Sequence, residues 1–222
     1  MQLLLGYNCT AFAYGQTGTG KTYTMTGEMA EEFGLLSDNA GIIPRTLRTL
    51  FDKLKGRDCT VKCSFIELYN EALRDLLSDE EDAKLQLFEG ERNTSSGNLL
   101  VKGMQESYID SPSAGMQLLQ IGSQKRQVAA TRCNDLSSRS HTIFTINVLI
   151  RSSTESITTG KLNLVDLAGS ENIQRSGSEN KRAAEAGQIN RSLLTLGRVI
   201  NALVDKSSHV PYRCFTPSLR LH

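Results

Sequence analysis

A chain of 222 residues, 39% hydrophobic and 22% charged, has the composition of a globular domain, which excludes global disorder. Its formal net charge of +1 gives no electrostatic case for nucleic acid or an anionic membrane, so any charge-steered partner acts through a local patch. No apolar run approaches bilayer-spanning length, residues 1–5 lack the basic flank of a signal peptide, and five scattered cysteines suit a reduced, cytosolic chain.

Residues 10–14 form a short apolar run ending at glycine and read as a buried strand. A glycine-rich turn follows, then a helix start at 21–25. Gly27, Gly34, Asn39 and Gly41 punctuate an acidic stretch that reads as a surface loop. Ile43, Leu47, Leu50, Phe51 and Leu54 recur at helical spacing. Over 58–69, Cys59, Val61, Cys63 and Phe65 share one side of a predicted strand. Cys59 and Cys63 have no second ligand pair at zinc-site spacing, so they read as packing residues. Leu73, Leu76 and Leu77 suit a short helix, Asp79-Glu80-Glu81-Asp82 a solvated turn, and 91–98 a polar loop.

Ser111-Pro112 opens a predicted helix through Met116, Leu118, Leu119 and Ile121 toward Val128, with proline in the first turn. Phe144, Ile146, Val148 and Ile150 alternate as a strand, joined by a short polar connection to Leu162-Asn163-Leu164-Val165-Asp166; the pair is expected to be antiparallel. Residues 172–187 are polar, a loop or a frayed helix. Ile189, Leu193, Leu196, Ile200 and Leu203 then make a helical stripe. Strands mixed with helices over a mostly buried sheet predict an α/β layered fold.

Gly15-Gln16-Thr17-Gly18-Thr19-Gly20-Lys21-Thr22 matches the phosphate-loop pattern G-x-x-x-x-G-K-[ST], between a predicted strand and a predicted helix. Glycines let the backbone wrap a phosphate with no Cβ in the way, and successive N–H groups then form an anion nest. Lys21 is expected to reach the β- and γ-phosphates of a nucleotide, and the Thr22 hydroxyl to ligate Mg²⁺. Two further clusters suit a nucleotide triphosphatase. Asp166, ending an apolar strand, is placed to hold a metal-bound water, and Gly169 to offer its N–H to a γ-phosphate. Asn134-Asp135-Leu136-Ser137-Ser138-Arg139-Ser140-His141 is either a capped turn or a switch loop folding over the γ-phosphate. His141 by itself reads as structural rather than catalytic.

With these residues in hand the chain resembles the kinesin motor family. The resemblance is carried by 12–22, by 134–141 (switch I), by Asp166-Leu167-Ala168-Gly169-Ser170-Glu171 (switch II), and by Ile189-Asn190-Arg191-Ser192-Leu193 with His209-Val210-Pro211-Tyr212-Arg213. Residues 36–44, 134–136 and 193–212 look most like the bipolar spindle (BimC-type) kinesins of fungi. The family's fold is of the phosphate-loop NTPase type, a mixed central sheet with helices on both faces. The resemblance implies ATP and Mg²⁺ as ligands, microtubule-stimulated hydrolysis, and a cytoplasmic place on microtubules and the mitotic spindle. It implies Asn134 and Ser137 at the γ-phosphate or lytic water, Ser138 on Mg²⁺ beside Thr22, and an Arg139–Glu171 pair that forms when the site closes. A water chain through serine and Glu171 would then carry the proton.

The resemblance also implies that the helix from 188 to 205 lies on tubulin. Between 172 and 213, Arg175, Lys181, Arg182, Arg191, Arg198, Lys206 and Arg213 outnumber Glu179, Glu185 and Asp205, a cationic excess suited to an acidic partner. No nucleic acid or membrane partner is expected, and oligomerisation would run through a coiled coil outside these residues. The family's Arg-x-Arg-Pro segment and its Glu-Ser-Lys-Leu-Thr continuation are not present, so 1–213 is expected to be a partial motor domain and 214–222 a divergent tail. Without the strand that flanks 10–14 in the family, that strand is expected to be an exposed edge. The alternative is a kinesin-like fragment that binds nucleotide or tubulin without turnover. A small GTPase would carry a guanine-reading Asn-Lys-x-Asp motif, and the chain has none.

Overall fold

The computed structural model describes residues 1–32, 35–70, 72–80, 85–89, 99–132, 138–152, 156–171, 180–207 and 209–210. A six-stranded sheet organises them. β1 (Asn8–Ala13) pairs in parallel with β10 (Ile157–Asp166), and β10 is antiparallel to β9 (His141–Arg151). β9 is antiparallel to β4 (Asp58–Tyr69), whose far edge takes two short strands, β5 (Ala72–Asp75) and β8 (Ser107–Ile109). The expected antiparallel pairing of β9 and β10 is present. Two-stranded ribbons β2–β3 (Glu31–Glu32, Leu35–Leu36) and β6–β7 (Gln86–Glu89, Leu99–Lys102) lie outside the sheet.

Alternation decides which face each helix covers. Val61, Cys63 and Phe65 of β4 stand opposite Val148, Ile146 and Phe144 of β9, all buried, with the two phenyl rings edge to face at 5.5 Å. α2 (Ile42–Leu54) adds Ile43, Leu47, Leu50 and Leu54 to this core. α3 (Pro112–Arg132) adds Met116 and Leu119. The α3 start follows the predicted signal: Pro112 is its first residue, and the Ser111 hydroxyl accepts the Ala114 N–H at 3.2 Å. α4 (Asn180–Val204) meets the opposite face, where Ser192 contacts His141. Helices therefore cover both faces.

Three expectations change. Residues 72–75 form strand β5 rather than opening a helix. Asn70 takes a left-handed turn at φ 48° and folds the chain back along β4, and the Asp75 carboxylate then accepts the N–H groups of Leu77, Ser78 and Gln105. Cross-strand pairing and that carboxylate outweigh the leucine spacing. The buried reading of 10–14 gives way to the edge that the resemblance implied: among the described residues β1 ends the strand order, and Phe12 is 43% exposed. The buried face of α4 centres on Thr195 and Val199, while Leu203 of the predicted stripe is exposed: the contact with the sheet is polar, through Ser192 on His141, so apolar spacing does not mark the face that packs.

The acidic excursion between α1 (Lys21–Met25) and α2 is pinched at its base. Gly27 bridges Ala40, and the Gly41 N–H donates to the Thr26 carbonyl. Gly27 holds φ 58°, and a Cβ there would overlap the Asn39 carbonyl and the Gly41 nitrogen.

Candidate nucleotide site

Strand directions gather the three motifs at one end of the sheet. β1 and β10 run parallel and β9 runs against them, so the loops after Ala13 and Asp166 and the start of β9 share an edge. Ala13, Asp166, Thr142 and Glu67 line up across four strands. This is the sheet end at which phosphate-loop folds bind ligand.

The loop after β1 has the backbone the motif needs, with φ 82° at Gly18 and 87° at Gly20. Lys21 Nζ donates to the Gln16 carbonyl at 2.8 Å, and the Thr19 hydroxyl donates to the same oxygen. Thr22, in the first turn of α1, donates its hydroxyl to Asp166 Oδ2 at 2.6 Å. Thr22 and Asp166, both read as metal-side residues from the sequence, therefore touch.

Asp166 is 6% exposed and is also held by Arg126 of α3, whose Nη1 lies 3.3 Å from Oδ2. Arg126 Nε lies 3.5 Å from Glu67 Oε1, and Nη2 donates to the Ser140 carbonyl and hydroxyl. The sequence reading did not single out Arg126 or Glu67. A signal was there: each is a charged residue on the apolar face of its element, Glu67 two after Phe65 and Arg126 seven after Leu119. Among the described residues the second oxygen of Asp166, Oδ1, is buried with no hydrogen-bond partner. A buried acceptor beside the Thr22 hydroxyl fits Mg²⁺ held through water.

After β10 the chain lies against the phosphate loop. Leu167 N–H donates to the Ala13 carbonyl and Ser170 N–H to the Gly15 carbonyl at 3.1 Å. Gly169 N–H donates to the Ser138 carbonyl at 2.8 Å, which joins the segment after β10 directly to the one before β9. Glu171 reaches the phosphate loop: one oxygen accepts the Thr17 N–H at 2.8 Å, the other the Thr17 hydroxyl. Burial raises the Glu171 pKa, but the Thr17 side-chain and backbone hydrogen bonds and the charge of Lys21 outweigh it, and the net shift is downward. Among the described residues the hydrogen bonds of Glu171 to another residue run to Thr17. The Arg139–Glu171 pair expected of a closed site is not among these contacts.

Asn134, Ser137 and Arg213 lie outside the described residues. Lys181, Arg182 and Arg191 fall on α4, with their side chains outside the description, and Arg198 is exposed there.

The model of the kinesin motor domain family matches residues 1–215. The kinesin-like protein bimC of Emericella nidulans is 69% identical over 216 residues, covering 96% of this chain and 18% of that protein. Cut7 of Schizosaccharomyces pombe is 54% identical over 231 residues, covering 96% of this chain and 21% of its own. A solved structure described as a fast kinesin superposes with a TM-score of 0.82 at 42% identity, covering 96% of this chain and 59% of that one. The chain spans about a fifth of the length of the curated relatives it matches. On the matched residues, the identity and the shared fold, this chain belongs to the kinesin motor domain family.

Proposed function

We propose that this chain binds ATP at residues 15–22 and hydrolyses it as the motor part of a mitotic-spindle kinesin working on microtubules in the cytoplasm. The observation that carries the reading is the contact of Thr22 with Asp166, since it joins the phosphate loop to the strand end that serves the metal. Lys21 and the N–H groups of Gly15, Gln16, Thr17, Gly18, Thr19 and Gly20 hold the β- and γ-phosphates. Thr22 and Ser138 would hold Mg²⁺ directly and Asp166 through water. The metal would supply neutralisation of phosphate charge. Arg126 and Glu67 fix the Asp166 carboxylate in a buried setting, where a misplaced charge is costly.

In this reading the Gly169 N–H exchanges the Ser138 carbonyl for the γ-phosphate when ATP binds. Glu171 exchanges Thr17 for Arg139, which closes the site over the lytic water beside Ser137 and Asn134. Hydrolysis is then mostly positioning and electrostatics. Microtubule contact falls to α4 and the segment after it, through Lys181, Arg182, Arg191, Arg198 and Arg213. The whole protein assembles through a coiled coil outside these residues.

A second reading, nucleotide or tubulin binding without turnover, is favoured by the place of β1, which among the described residues ends the strand order next to the phosphate loop. Phosphate release, followed with and without microtubules, separates the two. Stimulated release is expected; binding of a fluorescent ATP analogue with no release would leave the second reading standing.

A further inference from the structure

One imidazole connects the switch II segment to α4. His141 opens β9 and is 6% exposed. It is one residue out of step with Thr142 and Phe144, so it faces away from α3. Its Nδ1 accepts the Ala168 N–H at 3.1 Å, and its Nε2 lies 3.0 Å from Ser192 Oγ on α4. A ring nitrogen that accepts a peptide N–H has no proton of its own. The neutral ring therefore carries its proton on Nε2 and donates it to Ser192. Burial keeps the ring neutral: it lowers the pKa to about 4, with Asp166 pulling upward and Arg126 adding to the fall.

The two ends of this link have different neighbours. Ala168 lies between Asp166, on Thr22 and Arg126, and Gly169, whose N–H meets Ser138. Ser192 lies a turn before Thr195, which with Val199 forms the buried stripe of α4. A flexible side chain between them would absorb a shift at Ala168 by rotating. A flat ring bonded at both nitrogens and clamped in the sheet passes the shift on.

We propose that His141, as its Nε2–H tautomer, is a positioning residue that ties the Ala168 peptide to Ser192, so that a change of partner at Gly169 displaces α4. This rests on the motor reading, in which α4 meets the microtubule. A ring that merely fills space would affect folding and leave communication between the site and α4 intact.

The test uses the full-length protein. His141→Asn keeps an acceptor near Nδ1 and falls short of Ser192. Ser192→Ala removes the other end, and Ser192→Thr retains the hydroxyl. The readout is the ratio of microtubule-stimulated to basal turnover. It is expected to fall about tenfold in His141→Asn and in Ser192→Ala, with the loss in stimulated kcat rather than in the KM for ATP. The double variant should lose no more than either single one, because both break the same link. Ser192→Thr should keep the wild-type ratio. Additive losses, or a ratio that follows melting temperature alone, would overturn the proposal. A wild-type ratio of one would instead remove the motor reading, and the link is then decided by nitrogen NMR of labelled histidine. The Nε2–H tautomer is expected, with a signal that moves on adding Mg·ATP and stops moving in Ser192→Ala. An Nδ1–H tautomer, an imidazolium at neutral pH, or no response to nucleotide would refute the link.

Discussion

Lys21 holds its ammonium on the Gln16 carbonyl, so the charge meant for polyphosphate already rests on the loop that would receive it. Lys21→Ala is expected to weaken ATP binding by at least about tenfold, through loss of charge-assisted contacts to the β- and γ-oxygens. An equilibrium titration with unchanged affinity would count against it. Glu171→Ala is expected to leave ATP affinity within a few-fold and to slow single-turnover hydrolysis about a hundredfold, because its proposed pair with Arg139 forms only in the closed site. Equal losses of binding and turnover would argue that its contact with Thr17 is the important one. His141 gives a pH dependence of stability. Its pKa falls from 6.5 to about 4 on folding, so the unfolded chain takes up a proton first. The stabilisation is complete above about pH 6.5 and is lost as pH falls toward 4, a swing of order 3 kcal/mol. Denaturant midpoints from pH 7 to 4 should show this slope in the wild type and a shallower one in His141→Asn. The phosphate loop was legible in the sequence because its residues are contiguous. The Arg126–Asp166–Glu67 group was not, because three elements far apart in the chain supply it.

The excursion between α1 and α2 is closed by backbone contacts rather than by its own side chains. Gly27→Ala is expected to cost about 1–3 kcal/mol, since it adds strain at positive φ to a clash with backbone atoms that cannot rotate away. Calorimetry should show a lowered Tm; an unchanged Tm would mean that the pinch opens freely. Elements with a strong period were read well: α2 and the β4 and β9 strands bury most of the residues their spacing marked, and Phe51, Cys59 and Ile150 pack half-buried against the same core. The misreadings have a common cause. In β5 the leucines answer to a partner strand and to the Asp75 carboxylate, and α4 meets the sheet through a polar contact, Ser192 on His141. Local pattern carries neither influence.

Among the described residues β1 ends the strand order beside the phosphate loop and exposes Phe12 and, just beyond it, Tyr14. An apolar edge with unpaired N–H and C=O groups favours association. Residues 1–222 expressed alone are expected to self-associate as concentration rises and to fall short of a working motor, and Phe12→Lys should shift light scattering toward monomer. A sharp melt, a concentration-independent monomer and microtubule-stimulated turnover would show the edge to be harmless. The same strand sets the order in which the molecule can be made. Thr10 and Asn163, register partners, are 153 residues apart. At roughly 5–20 residues per second, β1 leaves the ribosome about 8–30 seconds before the strand that receives it. The β4–β9 pairing can form while it waits, so among the described strands the β1–β10 pair, which joins the phosphate loop to Asp166, is assembled last and the nascent chain carries an unformed nucleotide site until then.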